Sequence, residues 1–283
     1  MPILTTHGAR VSYSRTGTGE AVLLIQGVGA VGNAWRPQIE ALSQHYSVVA
    51  FDNRGIGGSS ITEGCLTIEG MAEDALTILN AEGINRCHVV GHSMGGLIAA
   101  QLALMWPRRV KSLALLCTFA DGRGATRLSG RMLMLALRSR IGTRVMRRTG
   151  MIRMIMPDAY VRQNDPTTLA RTLGDLFGRD LADQPSIIPR QLRAMSRYSA
   201  LSRLHELSGI PTLVVSAHQD PIAPPPLGKD IASRIQGARY VEFPDASHAL
   251  PIQLAHEVNA LLSEHLASAE KSDTARLAET RER

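Results

Sequence analysis

At 283 residues, 44% hydrophobic and 20% charged, the chain can bury a large core and has the make-up of an ordinary globular protein. No apolar run is long enough to span a bilayer, no basic-then-apolar leader opens the chain, and Cys65, Cys87 and Cys117 form no CxxC pair. These features argue against a membrane span, a cleaved signal, a disulfide framework and a thiolate metal site, and they make the cytoplasm the default address. The net charge of +6 is uneven: residues 121–206 hold 16 arginines, no lysine and 7 acids, and the rest of the chain is net acidic. No nucleic-acid-binding motif accompanies that excess, so it reads as an arginine-rich surface and no nucleic-acid partner is expected.

In chain order, residues 3–5 and 9–15 predict a hairpin at a sheet edge. Six short apolar runs follow: AVLLIQ (21–26), SVVAFD (47–52), CHVVGH (87–92), SLALLC (112–117), TLVVSA (212–217) and YVEFPD (240–245). Most are continuously apolar rather than alternating, as strands buried on both faces of a parallel sheet are. Helical spacing fills the gaps over 35–44, 67–80, 94–105 and 254–266, with Ile68, Met71, Ala75, Ile78 and Leu79 on one face of the second. This alternation predicts an α/β fold with a mostly parallel sheet flanked by helices.

The rhythm breaks over 118–207, where no strand-like run occurs. Helices such as 128–146 and 168–178 are separated by Pro157, Pro166, Pro185 and Pro189, which predicts a helical cap inserted into the sheet domain. The expected division is therefore a core of 1–117 and 208–267, a cap of 118–207, and a disordered tail over 268–283.

The chemistry begins at Gly91-His92-Ser93-Met94-Gly95, a G-x-S-x-G placed between a buried strand and a helix. That context suits a serine nucleophile on a strained strand-to-helix turn, with the helix N-terminus beside it favouring negative charge. Without the context the motif would be a glycine-rich turn. His92 reads as a packing and hydrogen-bonding neighbour rather than the base. A serine hydroxyl needs a base, and the base an orienting carboxylate. Asp220, beyond TLVVSA, and His248, after the last strand, stand in the required order at later strand ends. Read blandly, they are a turn aspartate before proline and a solvated loop histidine. Asp245 and Asp121 are rival acids, and His218 lies in the wrong loop to serve as base. Oxyanion donors are expected from the N–H of Met94 and, in the Gly27-Val28-Gly29 loop, of Val28.

Taken together, IQGVG, FDNRGIGGSS, VVGHSMGG, WPRRVKSLALL, PTLVVSAHQDPIAP and ASHAL resemble the α/β-hydrolase superfamily over nearly all of residues 1–267, most closely its esterase and lactonase branch. The resemblance implies an eight-stranded sheet with a cap, and a structural turn over 52–58. It implies serine hydrolysis of a carboxylic ester or lactone through an acyl-enzyme, with Ser93, Asp220 and His248 catalytic and no metal or organic cofactor. An acyltransferase, a carbon–carbon bond hydrolase or a slow ligand receptor would use the same residues. Gln26 departs from the histidine common before the glycine. The small-molecule substrate should be chosen by the cap, whose Met132, Met134, Met146, Met151, Met154 and Met156 suit irregular apolar space or cap packing.

Overall fold

The continuously apolar runs become the inner strands of a sheet covered on both faces. The computed structural model describes residues 2–6, 8–60, 64–125 and 129–281. Its strands are β1 (Ile3–Thr6), β2 (Ala9–Thr16), β3 (Ala21–Ile25), β4 (Ser47–Phe51), β5 (Cys87–His92), β6 (Val110–Leu116), β7 (Thr212–Ala217) and β8 (Arg239–Phe243). They form one eight-stranded sheet in the order β1-β2-β4-β3-β5-β6-β7-β8. β1 and β2 pair antiparallel, as do β2 and β4, and every later pairing is parallel.

Alternate residues of each strand feed opposite faces. Leu23 and Ile25 join a core with Met71, Ile78, Leu97 and Ile98 of helices α2 (Ile68–Ala81) and α3 (Met94–Met105). Val22 and Leu24 join Trp35, Leu42 and Leu262 on the other side, beneath α1 (Arg36–Leu42) and the C-terminal helix. Thr67 starts α2 where the spacing predicts, its hydroxyl accepting from the Gly70 N–H at 3.0 Å.

Between β6 and β7 the chain builds only helices among the described residues: α4 (Gly122–Ala125), α5 (Gly130–Arg138), α6 (Arg144–Ile155), α7 (Asp158–Gln163), α8 (Pro166–Phe177) and α9 (Ile188–Ser196). The predicted helix 128–146 is two helices, and its first residue lies outside the described set. Gly142 at φ 107° turns the chain, and Thr143 caps α6 by accepting from the Met146 N–H. After β7 come α10 (Pro225–Arg234), the short α11 (Leu250–Gln253) and α12 (Ala255–Arg281).

α12 runs through most of the stretch for which the sequence predicts a frayed tail. Residues 268–281 contain no glycine or proline and several strong helix formers, Ala269 is buried, and Asp273 pairs with Arg86 at 2.7 Å. Charge without a large apolar face was compatible with a long helix anchored near its middle. No helix among the described residues is long and apolar enough to cross a membrane.

Candidate active site

Ser93 stands at the end of β5 with φ 55° and ψ −123°, a left-handed conformation that costs a serine energy and turns the chain sharply into α3. The turn is pinned on both sides. The Ser93 N–H donates to the Leu116 carbonyl at 3.0 Å, and the Ser93 carbonyl accepts from the Gly96 N–H at 2.9 Å and the Thr118 hydroxyl at 2.6 Å. Gly95 is required by close approach: a Cβ there would sit 2.1 Å from the Ile25 carbonyl oxygen.

The loops after β7 and β8 bring the other two predicted side chains to the same point. His248 Nε2 accepts from the Ser93 hydroxyl at 2.9 Å, and His248 Nδ1–H donates to Asp220 Oδ2 at 2.7 Å. Asp220 Oδ1 is held by the N–H groups of Ile222 and Ala223 at 2.8 and 2.9 Å. Burial alone would raise the Asp220 carboxyl, but the His248 ring and those two donors outweigh it and hold the pKa below the ordinary carboxylate range. All three side chains are buried.

His92 has the supporting place its position suggested. Its Nε2–H donates to the His248 carbonyl at 2.8 Å, which fixes the loop carrying His248. Burial, with the nearby His248 ring, depresses its pKa to about 3, so it stays neutral and keeps that tautomer.

The loop after β3 faces Ser93 from the opposite side. Gly27 is glycine for want of space: a Cβ would lie 2.9 Å from the Ser93 Cβ and 3.3 Å from its Oγ. Gln26, the departure from the family pattern, turns its side chain to accept from the Gly27 N–H at 3.1 Å, and the Gln191 side chain accepts from the Gly29 N–H at 2.9 Å. Between them Val28 N–H keeps no partner among the described residues, and neither does Met94 N–H at the start of α3. Two unpaired donors flanking a buried hydroxyl are what an oxyanion requires.

Residues 20–253 match the family model of the alpha/beta hydrolase fold. The chain belongs to that family. Among curated relatives it is 34% identical over 271 residues to the dihydrolipoyllysine-residue acetyltransferase component of the acetoin cleaving system of Cupriavidus necator, covering 92% of this chain and 67% of the relative. It is 29% identical over 273 residues to a protein of Azorhizobium caulinodans provisionally named carbamate hydrolase RutD, covering 93% and 97%. Among solved structures, the enol-lactonase from Burkholderia xenovorans LB400 superposes with a TM-score of 0.79 at 26% identity, covering 94% of this chain and 100% of the enzyme.

Within this α/β-hydrolase the rival residues lie elsewhere. Asp121 pairs with Arg123 at 3.1 Å, Asp245 is exposed, and His218 faces Glu242 at 2.7 Å. The turn over 52–58 buttresses the site loop. Asp52 accepts from the N–H groups of Gly32 and Gly58 at 2.7 and 2.9 Å, and the Asn53 amide donates to the Gln26 carbonyl at 2.8 Å.

Sequence reasoning passed over Gln191, the buried cap residue that ties α9 to the Val28 loop. Nothing local marks it, since its partners lie 162 and 137 residues away. The cap also holds the histidine loop, through the Ala249 N–H donating to the Ile155 carbonyl at 2.8 Å. Between cap and core lies a cavity of about 300 Å³ that reaches Ser93, His248 and Val28. Met132, Met151 and Met154 line it, as do Arg140 and Arg179, and no acidic side chain among the described residues does. Of the other predicted methionines, Met134 and Met146 face outward and Met156 packs inside the cap. A larger groove of about 960 Å³ lies on the cap around α6 and α8 and includes neither Ser93, Asp220 nor His248.

Proposed function

We propose that the chain is a serine hydrolase that cleaves a carboxylic ester or lactone through an acyl-enzyme. The observation that carries this reading is the unbroken chain from Ser93 Oγ through His248 to Asp220, at 2.9 and 2.7 Å, facing two unpaired backbone donors. In this reading Ser93 attacks the substrate carbonyl as its proton passes to His248 Nε2. The buried Asp220 carboxylate stabilises the imidazolium and fixes its tautomer, while Val28 and Met94 N–H bind the oxyanion. His248 then protonates the leaving alcohol, or the alkoxide end of an opened lactone. In the second half it takes a proton from the water that attacks the acyl carbon, then returns that proton to Ser93 Oγ as the acyl–oxygen bond breaks and the acid leaves.

The cavity narrows the substrate. A volume of about 300 Å³ with methionine and aliphatic walls suits a compact, largely apolar acyl group. The enol-lactonase likeness agrees with a lactone as one form of that substrate. The acetyltransferase relative supports a second reading, in which the acyl group passes from Ser93 to a thiol or alcohol instead of water.

The deciding experiment is a panel of short esters and lactones assayed with intact-protein mass spectrometry under rapid quench. A mass increase equal to the acyl group, mapped to Ser93 and absent from Ser93→Ala, is expected. Turnover that leaves Ser93 unmodified and survives its replacement would remove the reading. Product analysis with an added thiol or alcohol separates hydrolysis from transfer.

A further inference from the structure

The cap carries apolar side chains where solvent would otherwise be expected to face polar ones. Leu133, Met134 and Leu137 on α5, Ile141 in the following turn, and Val145 and Met146 at the start of α6 all point outward. The exposures are large: 63% for Leu133, 57% for Leu137, 62% for Ile141 and 68% for Val145. Apart from Leu192, also on the cap, Ile3 is the other large apolar side chain exposed to this degree among the described residues. The pattern is visible in sequence, because residues 132–137 read MLMLAL with no polar position. An amphipathic cap helix needs one apolar stripe, and α5 has two. Met132 and Leu135 are buried, while Leu133, Met134 and Leu137 face away.

The segment that carries this second face has charge of one sign. Residues 129–157 hold seven arginines and no aspartate or glutamate. Arg131, Arg144 and Arg148 pair with acids from other parts of the cap. Arg138 and Arg140, which flank the apolar row at the end of α5, are exposed and have no acidic partner among the described residues.

We propose that the α5–α6 hairpin docks on an anionic lipid surface. Its leucine, methionine, isoleucine and valine side chains enter the boundary between headgroups and acyl chains, and Arg138 and Arg140 meet headgroup phosphates. An anionic bilayer offers both halves of the match, an apolar layer and fixed negative charge above it. A second copy of the chain offers only the apolar half. A two-fold contact would set this arginine-rich patch against itself, and the described surface outside the cap has no comparable apolar patch to receive it. Docking would also set the rim of the cavity on the lipid, because Met132, Ala136, Ser139 and Arg140 of the same helix and its end line that cavity. The proposal does not depend on the ester or lactone reading, since binding is measured without substrate.

The test is flotation of the full-length protein with vesicles of phosphatidylcholine alone and of phosphatidylcholine containing phosphatidylglycerol. Binding to the anionic vesicles should exceed binding to the neutral ones by about tenfold and weaken as salt rises. Leu133→Glu with Leu137→Glu should abolish it while the melting temperature stays near that of the wild type. Leu133→Ser with Leu137→Ser supplies a milder pair should the first lose its fold. Absence of flotation, equal flotation with both vesicle types, or undiminished flotation of a folded double variant overturns the proposal. A concentration-dependent dimer in light scattering that the same substitutions abolish also overturns it, and assigns the patch to a second copy.

Discussion

The sheet domain and the cap are joined by hydrogen bonds and a shared cavity, yet they are built on different terms. In the sheet domain the candidate site comes from loops at strand ends, and its polar atoms are matched: Asp220 to three donors, His248 to two partners, the Ser93 carbonyl to two. The cap supplies methionines, outward leucines and arginines to a cavity wall and a surface. The contrast teaches that the candidate site's atoms are held by backbone geometry, where small errors are costly, while the cap's share of the cavity wall is built from side chains that can change without moving that geometry. Substitutions in the two regions should therefore differ in kind.

The largest effects belong to the sheet domain. Ser93→Ala should lower ester turnover by about a thousandfold or more with little change in melting temperature, since its hydroxyl makes one side-chain hydrogen bond. Asp220→Asn should cost on the order of a thousandfold, because an amide cannot both accept from His248 Nδ1–H and stabilise the imidazolium. Asp121→Asn and Asp245→Asn, away from the histidine, should change kcat/KM less than about threefold. Steady-state kinetics on the four variants decides the acid, and a damaging Asp245→Asn beside an active Asp220→Asn would reverse the assignment.

Gly27→Ala should come next. Its new methyl would meet the Ser93 side chain at 2.9 Å, and both groups are fixed to backbone. Displacing either by a fraction of an ångström should lower kcat by about a hundredfold while leaving KM nearly unchanged. A fall in KM affinity with kcat intact would mean that the loop bounds the substrate rather than the reacting atoms.

These sheet-domain residues were legible because each sits in a pattern with a local cause. Buried strands read as continuous apolar runs, the turn proposed for a nucleophile needs small neighbours, and the proposed acid and base follow in chain order. Val28 was legible only as part of a glycine loop, and its freedom depends on two glutamines that occupy the flanking N–H groups. Gln26 was visible as a departure from the family pattern. Gln191 was not visible at all, since a lone cap glutamine carries no sign of a partner so far away in sequence. In the cap, periodicity found helices but joined α5 to α6, because a glycine and a threonine cap stop a helix more subtly than proline does. The helix over 268–281 is hard to read from sequence for a related reason: propensity supports it, but its anchor, Arg86, lies far upstream.

Acid should also separate the two regions. His92 and His265, both in the sheet domain, are kept neutral mainly by burial, with pKa values near 3 and 4. The unfolded chain protonates each near pH 6.5, so below that pH the unfolded state binds protons that the folded state does not. Stability is then full above about pH 6.5 and falls as pH drops toward 4, by about 1 kcal/mol per pH unit for each histidine. The depressed Asp220 carboxyl adds its own loss only below the ordinary carboxylate range. Urea midpoints at several pH values between 7 and 4.5 test this, and His265→Leu should flatten the slope. A flat profile in the wild type would mean that both rings charge inside the fold.

The smallest expected effect is the cap's. Its arginine excess can raise the local concentration of anions, and the cavity wall includes Arg140 and Arg179 but no acid among the described residues. The Arg179 guanidinium is spent partly on the backbone carbonyls of Asp183 and Phe177, at 3.0 and 3.3 Å, rather than on a carboxylate. An anionic ester should therefore exceed a neutral one of equal size by a few-fold in kcat/KM at low salt, with kcat nearly equal. Salt then tells two causes apart. Attraction by the exposed arginines is screened beyond roughly 10 Å at moderate ionic strength and should fade, whereas contact with the partly buried Arg179 should survive. Arg179→Gln should remove whatever preference remains at high salt and leave the neutral ester almost unaffected. Equal rates for both esters at low salt would reduce the cap arginines to a solvated surface, and selection would then rest on the shape of the methionine-lined cavity.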